Sequence, residues 1–212
     1  MSDGGYRLTP VSGPRIRSDV VDAYVFQRSG RPPRRVFESA QRRSSRMDSD
    51  GSEGFGVGAG VYFLQLLRVG APLADTWHPV MGHCESGETA VACMRRELSE
   101  ELGLAADERA VRGVWALEQV HPFYIVELDA IVMSPRFAAE VEAGWEPTLN
   151  DEHADFRWVH ARDVNEAFMW PGQKAACREI AEDLLPEGSL MRELVRVPRS
   201  GERDGVDPSE PS

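Results

Sequence analysis

Glu97, Glu100 and Glu101 stand at positions i, i+3 and i+4 of an apolar-periodic segment, and this spacing is the feature of the chain best suited to chemistry. At roughly 100° of rotation per residue, the three carboxylates fall on one side of a helix. Val91, Met94, Leu98 and Leu102 form an apolar stripe beside them, so the helix can pack through one face and present acid from the next. Three ionised glutamates this close repel one another, and solvent or a cation must screen them. Hard oxygen donors at this density suit Mg²⁺ or Mn²⁺. Taken alone, Glu-x-x-Glu-Glu equally describes a solvated acidic face. The flanking residues separate the two readings. Gly82 and Gly87 give a turn access to unusual backbone angles, Glu88 opens the helix, and Arg96 pairs with Glu100 one turn on.

The elements that must position these residues can be read from patterning. The helix is predicted over about Glu88–Leu102, closed by Gly103. Strands are predicted at Val20–Phe26, Val61–Leu67, Val111–Gln119, Phe123–Met133 and Asp155–Val159, from their β-branched and aromatic content. Further helices are predicted at Ala161–Phe168 and Gln173–Leu184. The organisation expected is then a disordered N-terminal tail over 1–18, one domain over 19–185 and a disordered C-terminal tail over 186–212. Residues 28–60 lack a sustained apolar period and read as a flexible Arg-rich insertion.

Composition narrows the partners. Residues 28–46 hold seven arginines against the single acid Glu38, a local excess set in a chain of net charge −11. A solvated loop is the simpler reading of that run, since blocks of like charge are commonly disordered. The overall acidity disfavours nucleic acid and anionic membranes as partners, yet a phosphorylated small molecule remains compatible once divalent cations lie between the two sets of oxygens. No apolar run approaches the roughly 20 residues needed to span a bilayer, and the start lacks a secretory apolar segment, so a cytoplasmic protein is expected. Cys84, Cys93 and Cys177 are odd in number and without CxxC spacing, which argues for free thiols over a zinc site or a disulfide framework. Nothing in the sequence fixes an oligomeric state.

The run Gly82-x5-Glu88-x7-Arg96-Glu97-Leu98-x-Glu100-Glu101-x-Gly103-Leu104 resembles the complete Nudix box. Chance coincidence of its seven fixed and two aliphatic positions has odds on the order of 10⁻⁷. The resemblance implies an α/β fold, an α/β/α sandwich with a mixed β-sheet, carrying a loop-helix-loop catalytic motif. It implies a metal-dependent pyrophosphohydrolase in which Glu97, Glu100 and Glu101 hold Mg²⁺ or Mn²⁺, joined by the Gly82 carbonyl. Arg96 would orient a carboxylate, and Glu100 or Glu97 would take the proton of the attacking water. Downstream, Asn150-Asp-Glu-His-Ala-Asp-Phe-Arg-Trp-Val159 and Trp170-Pro-Gly-Gln-Lys-Ala175 are similar to the dihydroneopterin triphosphate and dATP pyrophosphohydrolase branch, where Glu152 matches a further metal-ligand position. The expected reaction is hydrolysis of a nucleoside- or pterin-triphosphate-like substrate to a monophosphate and pyrophosphate. Arg68, at a strand end, is a candidate for phosphate, and Tyr124, beside His121 and Phe123, for a base. His83 and His153 are expected as neighbours of the metal site, not as ligands. The alternatives are hydrolysis of another nucleoside diphosphate linked to a second group, a nucleotide-binding module without activity, and an isoprenoid diphosphate isomerase. The intact carboxylates argue against the last two.

Overall fold

The computed structural model describes residues 13–39, 60–71, 73–105 and 109–199. Its centre is a mixed sheet in the order β10-β3-β2-β9-β6, with β4 paired to β3 and β5 to β2. The strands are β2 (Val20–Ser29), β3 (Gly60–Arg68), β4 (Trp77–His78), β5 (Val80–His83), β6 (Val111–Ala116), β9 (Arg136–Val141) and β10 (His153–His160). The β2/β9 pair is parallel and the other pairs are antiparallel. β1 (Arg15–Arg17), β7 (Phe123–Ile125) and β8 (Ala130–Val132) form a separate three-stranded sheet.

Period-two alternation along β2 divides the core. Val21, Ala23 and Val25 point to one side, where Cys93, Met94, Leu98 and Leu102 of helix α1 (Ala90–Leu102) pack. Tyr24 and Phe26 point to the other, against Val164 of α2 (Val164–Ala167) and Ala176 and Cys177 of α3 (Pro171–Glu179), with Ile180 and Leu184 of the π-helical turn that follows. A strand buried on both faces reads as a near-continuous apolar run, as Val20–Phe26 does. The expected α/β/α sandwich is thus the one formed.

Several elements differ from the patterning. The predicted strand Phe123–Met133 is a hairpin, since Val126–Leu128 make a 3₁₀ turn and Asp129 takes a left-handed φ of 44°. β9 escapes prediction because Arg-Phe-Ala-Ala-Glu-Val mixes helix formers with charge. Its charges are buried in pairs: Arg136 Nε lies 3.3 Å from Asp22, and Glu140 accepts from Arg28 and Arg192 at 2.7 Å each. Described elements also lie on both sides of residues 19–185. Arg15–Arg17 pair with β8, and at the other end α4 (Met191–Leu194) leads to a bridge between Arg196 and Trp115 and to a buried Val197.

The early part of the presumed flexible insertion is packed as well. Arg28 and Ser29 complete β2, Val36 bridges to Trp158, and Phe37 N–H donates to the Trp158 carbonyl at 2.8 Å. The Arg157 guanidinium lies between the rings of Phe37 (4.7 Å) and Trp77 (4.2 Å). The remainder, 40–59, falls outside the described residues, as do the chain ends 1–12 and 200–212. Phe37→Ala is therefore expected to cost about 2 kcal/mol, less than a fully buried Phe, and to lower the melting temperature by about 4–8 °C. A melting curve unchanged from wild type would show that this segment does not contribute to the core.

Candidate active site

The turn into α1 is built by its own polar groups. Gly87 takes φ 82°, Glu88 N–H donates to the Glu85 carbonyl at 3.0 Å, and the Glu88 carboxylate accepts from Glu85 N–H at 2.9 Å. Thr89 caps the helix, its hydroxyl accepting from Ala92 N–H, so the helix begins two residues later than predicted. Gly103 at φ 65° ends it as expected, its N–H bonded to the Leu98 and Ser99 carbonyls.

Arg96 organises the acids around this turn. Its guanidinium grips both Glu88 oxygens at 3.1 and 3.0 Å, then reaches Glu97 at 2.8 Å, Glu100 at 3.1 Å and the His83 carbonyl at 2.8 Å. Hydrogen bonds from Arg96 hold the Glu88 carboxyl below the usual range. The predicted Arg96–Glu100 pair forms, but it is the most exposed of these contacts, with Glu100 56% exposed.

Gly82 serves a purpose different from the one its residue type suggested. It has no positive φ; instead the Glu97 side chain lies directly over it, and a Cβ built there would be 2.0 Å from the Glu97 carboxyl carbon. The glycine is required for close approach. Gly82→Ala is expected to push aside the flexible end of Glu97, leaving the melting temperature within about 3 °C of wild type. Turnover should fall by about tenfold or more, because a reacting group is displaced by an ångström or so. Wild-type turnover in this variant would remove Glu97's position from the account.

Glu101 is the buried member of the cluster. It is 3% exposed, one oxygen has no hydrogen-bond partner, and the backbone of Met81 hydrogen-bonds the carboxyl. Burial, reinforced by Glu97 and Glu152, pushes its pKa up to about 9. Burial also raises the Glu97 carboxyl, against the opposing pull of Arg96, with Glu100 and Glu152 adding to the rise. Glu97, Glu101 and Glu152 therefore share one electrostatic neighbourhood, although Glu152 comes from a distant stretch of chain. The register explains it. His153 at the start of β10 pairs with Arg68 at the end of β3, and Val69 N–H donates to the Glu152 carbonyl at 2.9 Å.

The same register brings Arg68 to this end of the sheet, where its charge opposes the rise at Glu101. Its Nε donates to the Gly70 carbonyl at 3.3 Å. Tyr124 lies in the smaller sheet instead, its hydroxyl donating to Asp129 at 2.8 Å. His153 is beside the acids as expected, with Nε2 3.9 Å from Glu101. Burial lowers its pKa to about 4, so at neutral pH this is a contact of neutral groups and not an ion pair. His78 is a neighbour that patterning missed. Its ring centroid lies 5.8 Å from that of His153, and its buried Nε2 has no partner. Only the strand pairing places it there.

The donor set fits a hard divalent cation. Its donors are carboxylate oxygens that oppose one another's ionisation, and the burial that raises Glu97 and Glu101 is what a bound cation would offset. Among the described residues no three His, Cys, Asp or Glu side chains are already gathered as a cage. Arg96 holds Glu97 and Glu100 toward itself.

A model of the NUDIX domain matches residues 59–180, more than half of the chain. The chain belongs to the NUDIX family. That membership makes it a pyrophosphohydrolase of the class acting on nucleotide-like substrates, in a family that generally uses divalent metals. Solved structures agree on the fold. A Listeria monocytogenes protein described as a NUDIX hydrolase is 21% identical with a TM-score of 0.54, over 79% of this chain and 94% of that one. An Ap4A hydrolase from C. elegans in a binary complex is 14% identical with a TM-score of 0.51, over 76% and 93%. The NUDIX domain of Shewanella oneidensis NrtR, complexed with ADP ribose, is 12% identical with a TM-score of 0.51, over 83% and 93%. Among the described residues no helix is long and apolar enough to cross a membrane.

Proposed function

We propose that this NUDIX protein hydrolyses a nucleoside or pterin triphosphate to a monophosphate and pyrophosphate, using Mg²⁺ or Mn²⁺ held by Glu97, Glu100 and Glu101. Glu152 and the Gly82 carbonyl complete the donor set. The observation that carries this reading is the buried Glu101 carboxyl, with one oxygen unpartnered and Glu97 and Glu152 close enough to oppose its ionisation. A bound divalent cation supplies charge neutralisation for phosphate oxygens and makes water a competent nucleophile at neutral pH.

The chain's own groups do the remainder. Arg96 orients Glu97 and Glu100 by donating to one oxygen of each. Glu100, the most exposed of the three, would accept the proton of the attacking water, with Glu97 as the other candidate. Arg68 offers the nearby cation for a phosphate oxygen. Tyr124 is the weaker substrate contact, because its hydroxyl is already engaged by Asp129.

Preference for a triphosphate rests on Glu152-His153 and Trp170-Pro171, the residues shared with the triphosphate-cleaving branch. Purified protein with Mg²⁺ should be assayed against dNTPs, dihydroneopterin triphosphate, dinucleoside polyphosphates and ADP-ribose, with both products identified. The expected result is pyrophosphate release from a triphosphate and slow turnover of ADP-ribose. If ADP-ribose or a dinucleoside polyphosphate is cleaved at least about tenfold more efficiently than every triphosphate, the preference is misassigned by about 1.4 kcal/mol or more of transition-state binding.

A further inference from the structure

Along β6, the last strand in the order of the central sheet, three arginines line one open cleft. The segment after α4 carries two of them there. Val197 N–H donates to the Val114 carbonyl and Ala116 N–H to the Val195 carbonyl, at 2.9 Å each, so residues 195–199 run beside β6 as a strap. Arg196 and Arg199 lie on this strap, and Arg95 arrives from α1. Gly113 and Pro198 lie between them, and among the described residues the lining holds neither an acid nor an aromatic ring. Two of the guanidiniums are positioned by backbone. Arg95 donates to the Pro198 carbonyl, and Arg199 to the Val111 carbonyl at 3.3 Å. A carbonyl fixes a guanidinium without cancelling its charge, and neither Arg95 nor Arg196 pairs with a described carboxylate. Acids outnumber bases 35 to 24 in this chain, so a cleft lined by arginine alone runs against its average charge.

We propose that this cleft is a second, metal-independent anion site, which takes the oligophosphate group of a small molecule. The planar fork of each guanidinium matches two oxygens of a phosphate, and a chain of phosphates can meet three arginines in turn. A carboxylate fills only one fork. No aromatic ring is present to stack a base, so the phosphate chain is what the cleft reads, whether it is free or part of a nucleotide. The cleft is separate from the acidic site. Arg95 and Arg96 are neighbours on α1 but leave it about 100° apart, the first toward Pro198 and the second toward Glu88. β6 and β10, the strand that follows Glu152, stand at opposite ends of the sheet order, roughly 19 Å apart at the usual strand spacing.

The test is calorimetric titration of the full chain with inorganic tripolyphosphate and, separately, with ATP, both in chelator at low ionic strength. Without a divalent cation the acids of the metal site repel phosphate, so binding reads the arginines. Both probes are expected to bind with Kd below about 1 mM and within about tenfold of each other, and to weaken as salt is added. Arg196→Gln and Arg95→Gln should each weaken binding by about tenfold or more. Arg196 is exposed, so its replacement leaves the fold intact even if Arg95→Gln melts early. Arg68→Gln, at the acidic site, and the double variant Arg31→Gln/Arg34→Gln, on the Arg-rich segment, should bind as wild type does. Absence of tripolyphosphate binding, ATP binding more than about tenfold tighter than tripolyphosphate, or binding unchanged by Arg196→Gln would each overturn the proposal. Neither hydrolysis nor metal enters these readouts, so the anion site and the proposed activity stand or fall separately.

Discussion

Glu101→Gln is expected to lower kcat by at least about a hundredfold, roughly 2.7 kcal/mol of transition-state stabilisation, while leaving the metal-free protein as stable as wild type or more so. Glutamine keeps the size and hydrogen-bonding capacity of the side chain but removes the negative ligand. The stability half follows from burial. The folded pKa of Glu101 is about 9 against an ordinary value of 4.5. The fold therefore tolerates the neutral acid and penalises the carboxylate. For a group raised in this way, the favourable contribution is complete below the unfolded pKa and is lost as pH rises through the folded one. Wild-type protein without metal should lose stability progressively from about pH 5 to about pH 9, and Glu101→Gln should flatten that slope. Denaturant titrations at a series of pH values in chelator measure both. A wild-type curve that rises across this window would show that Glu101 is ionised and compensated in the free protein.

Arg96→Gln should combine a loss of activity with a loss of stability, which distinguishes it from Glu101→Gln. The guanidinium is only 23% exposed and satisfies Glu88, Glu97, Glu100 and the His83 carbonyl together. Its removal leaves partly buried carboxylates facing one another with no cation between them. A cost of about 2–3 kcal/mol is expected, scaled down from fully buried pairs, with a melting temperature lower by about 5–10 °C. Turnover should fall about a hundredfold, since Glu97 and Glu100 lose the group that orients them. Added Mg²⁺ should recover part of the stability, because a divalent cation screens the same acids. Wild-type melting and turnover in this variant would mean that the network is incidental.

The box was legible because its chemistry is local. Glu97, Glu100 and Glu101 share one helix face, Arg96 is within one turn of Glu100, and Gly103 carries its own stop signal. What could not be read depends on pairing between distant segments. Glu152 and Arg68 were named from a resemblance and a strand end, but what brings them to one end of the sheet is the β3/β10 register, and His78, which patterning missed, comes beside His153 by the same sheet. Gly82 was legible as a required glycine but for another cause, since close approach by Glu97 leaves no trace in local sequence. β9 was missed because Arg136 and Glu140 look like surface residues until Asp22, Arg28 and Arg192 are seen to neutralise them. Val36, Phe37 and Val197 stand in stretches rich in Pro and Arg, and their contribution appears only against Trp158, Arg157 and the α1 core layer.

The most direct test of the central claim, that the α1 carboxylates hold the divalent cation, is titration of metal-free protein with Mg²⁺ or Mn²⁺ by calorimetry at pH 7.5, in buffers of different ionisation enthalpy. A carboxyl held protonated by burial must give up its proton to become a ligand. Wild-type protein should therefore bind the metal with release of about one proton, and Glu101→Gln should bind more weakly with almost none. Equal affinity and equal proton release in the two proteins would contradict the assignment of Glu101 and, with it, of the metal site on this helix.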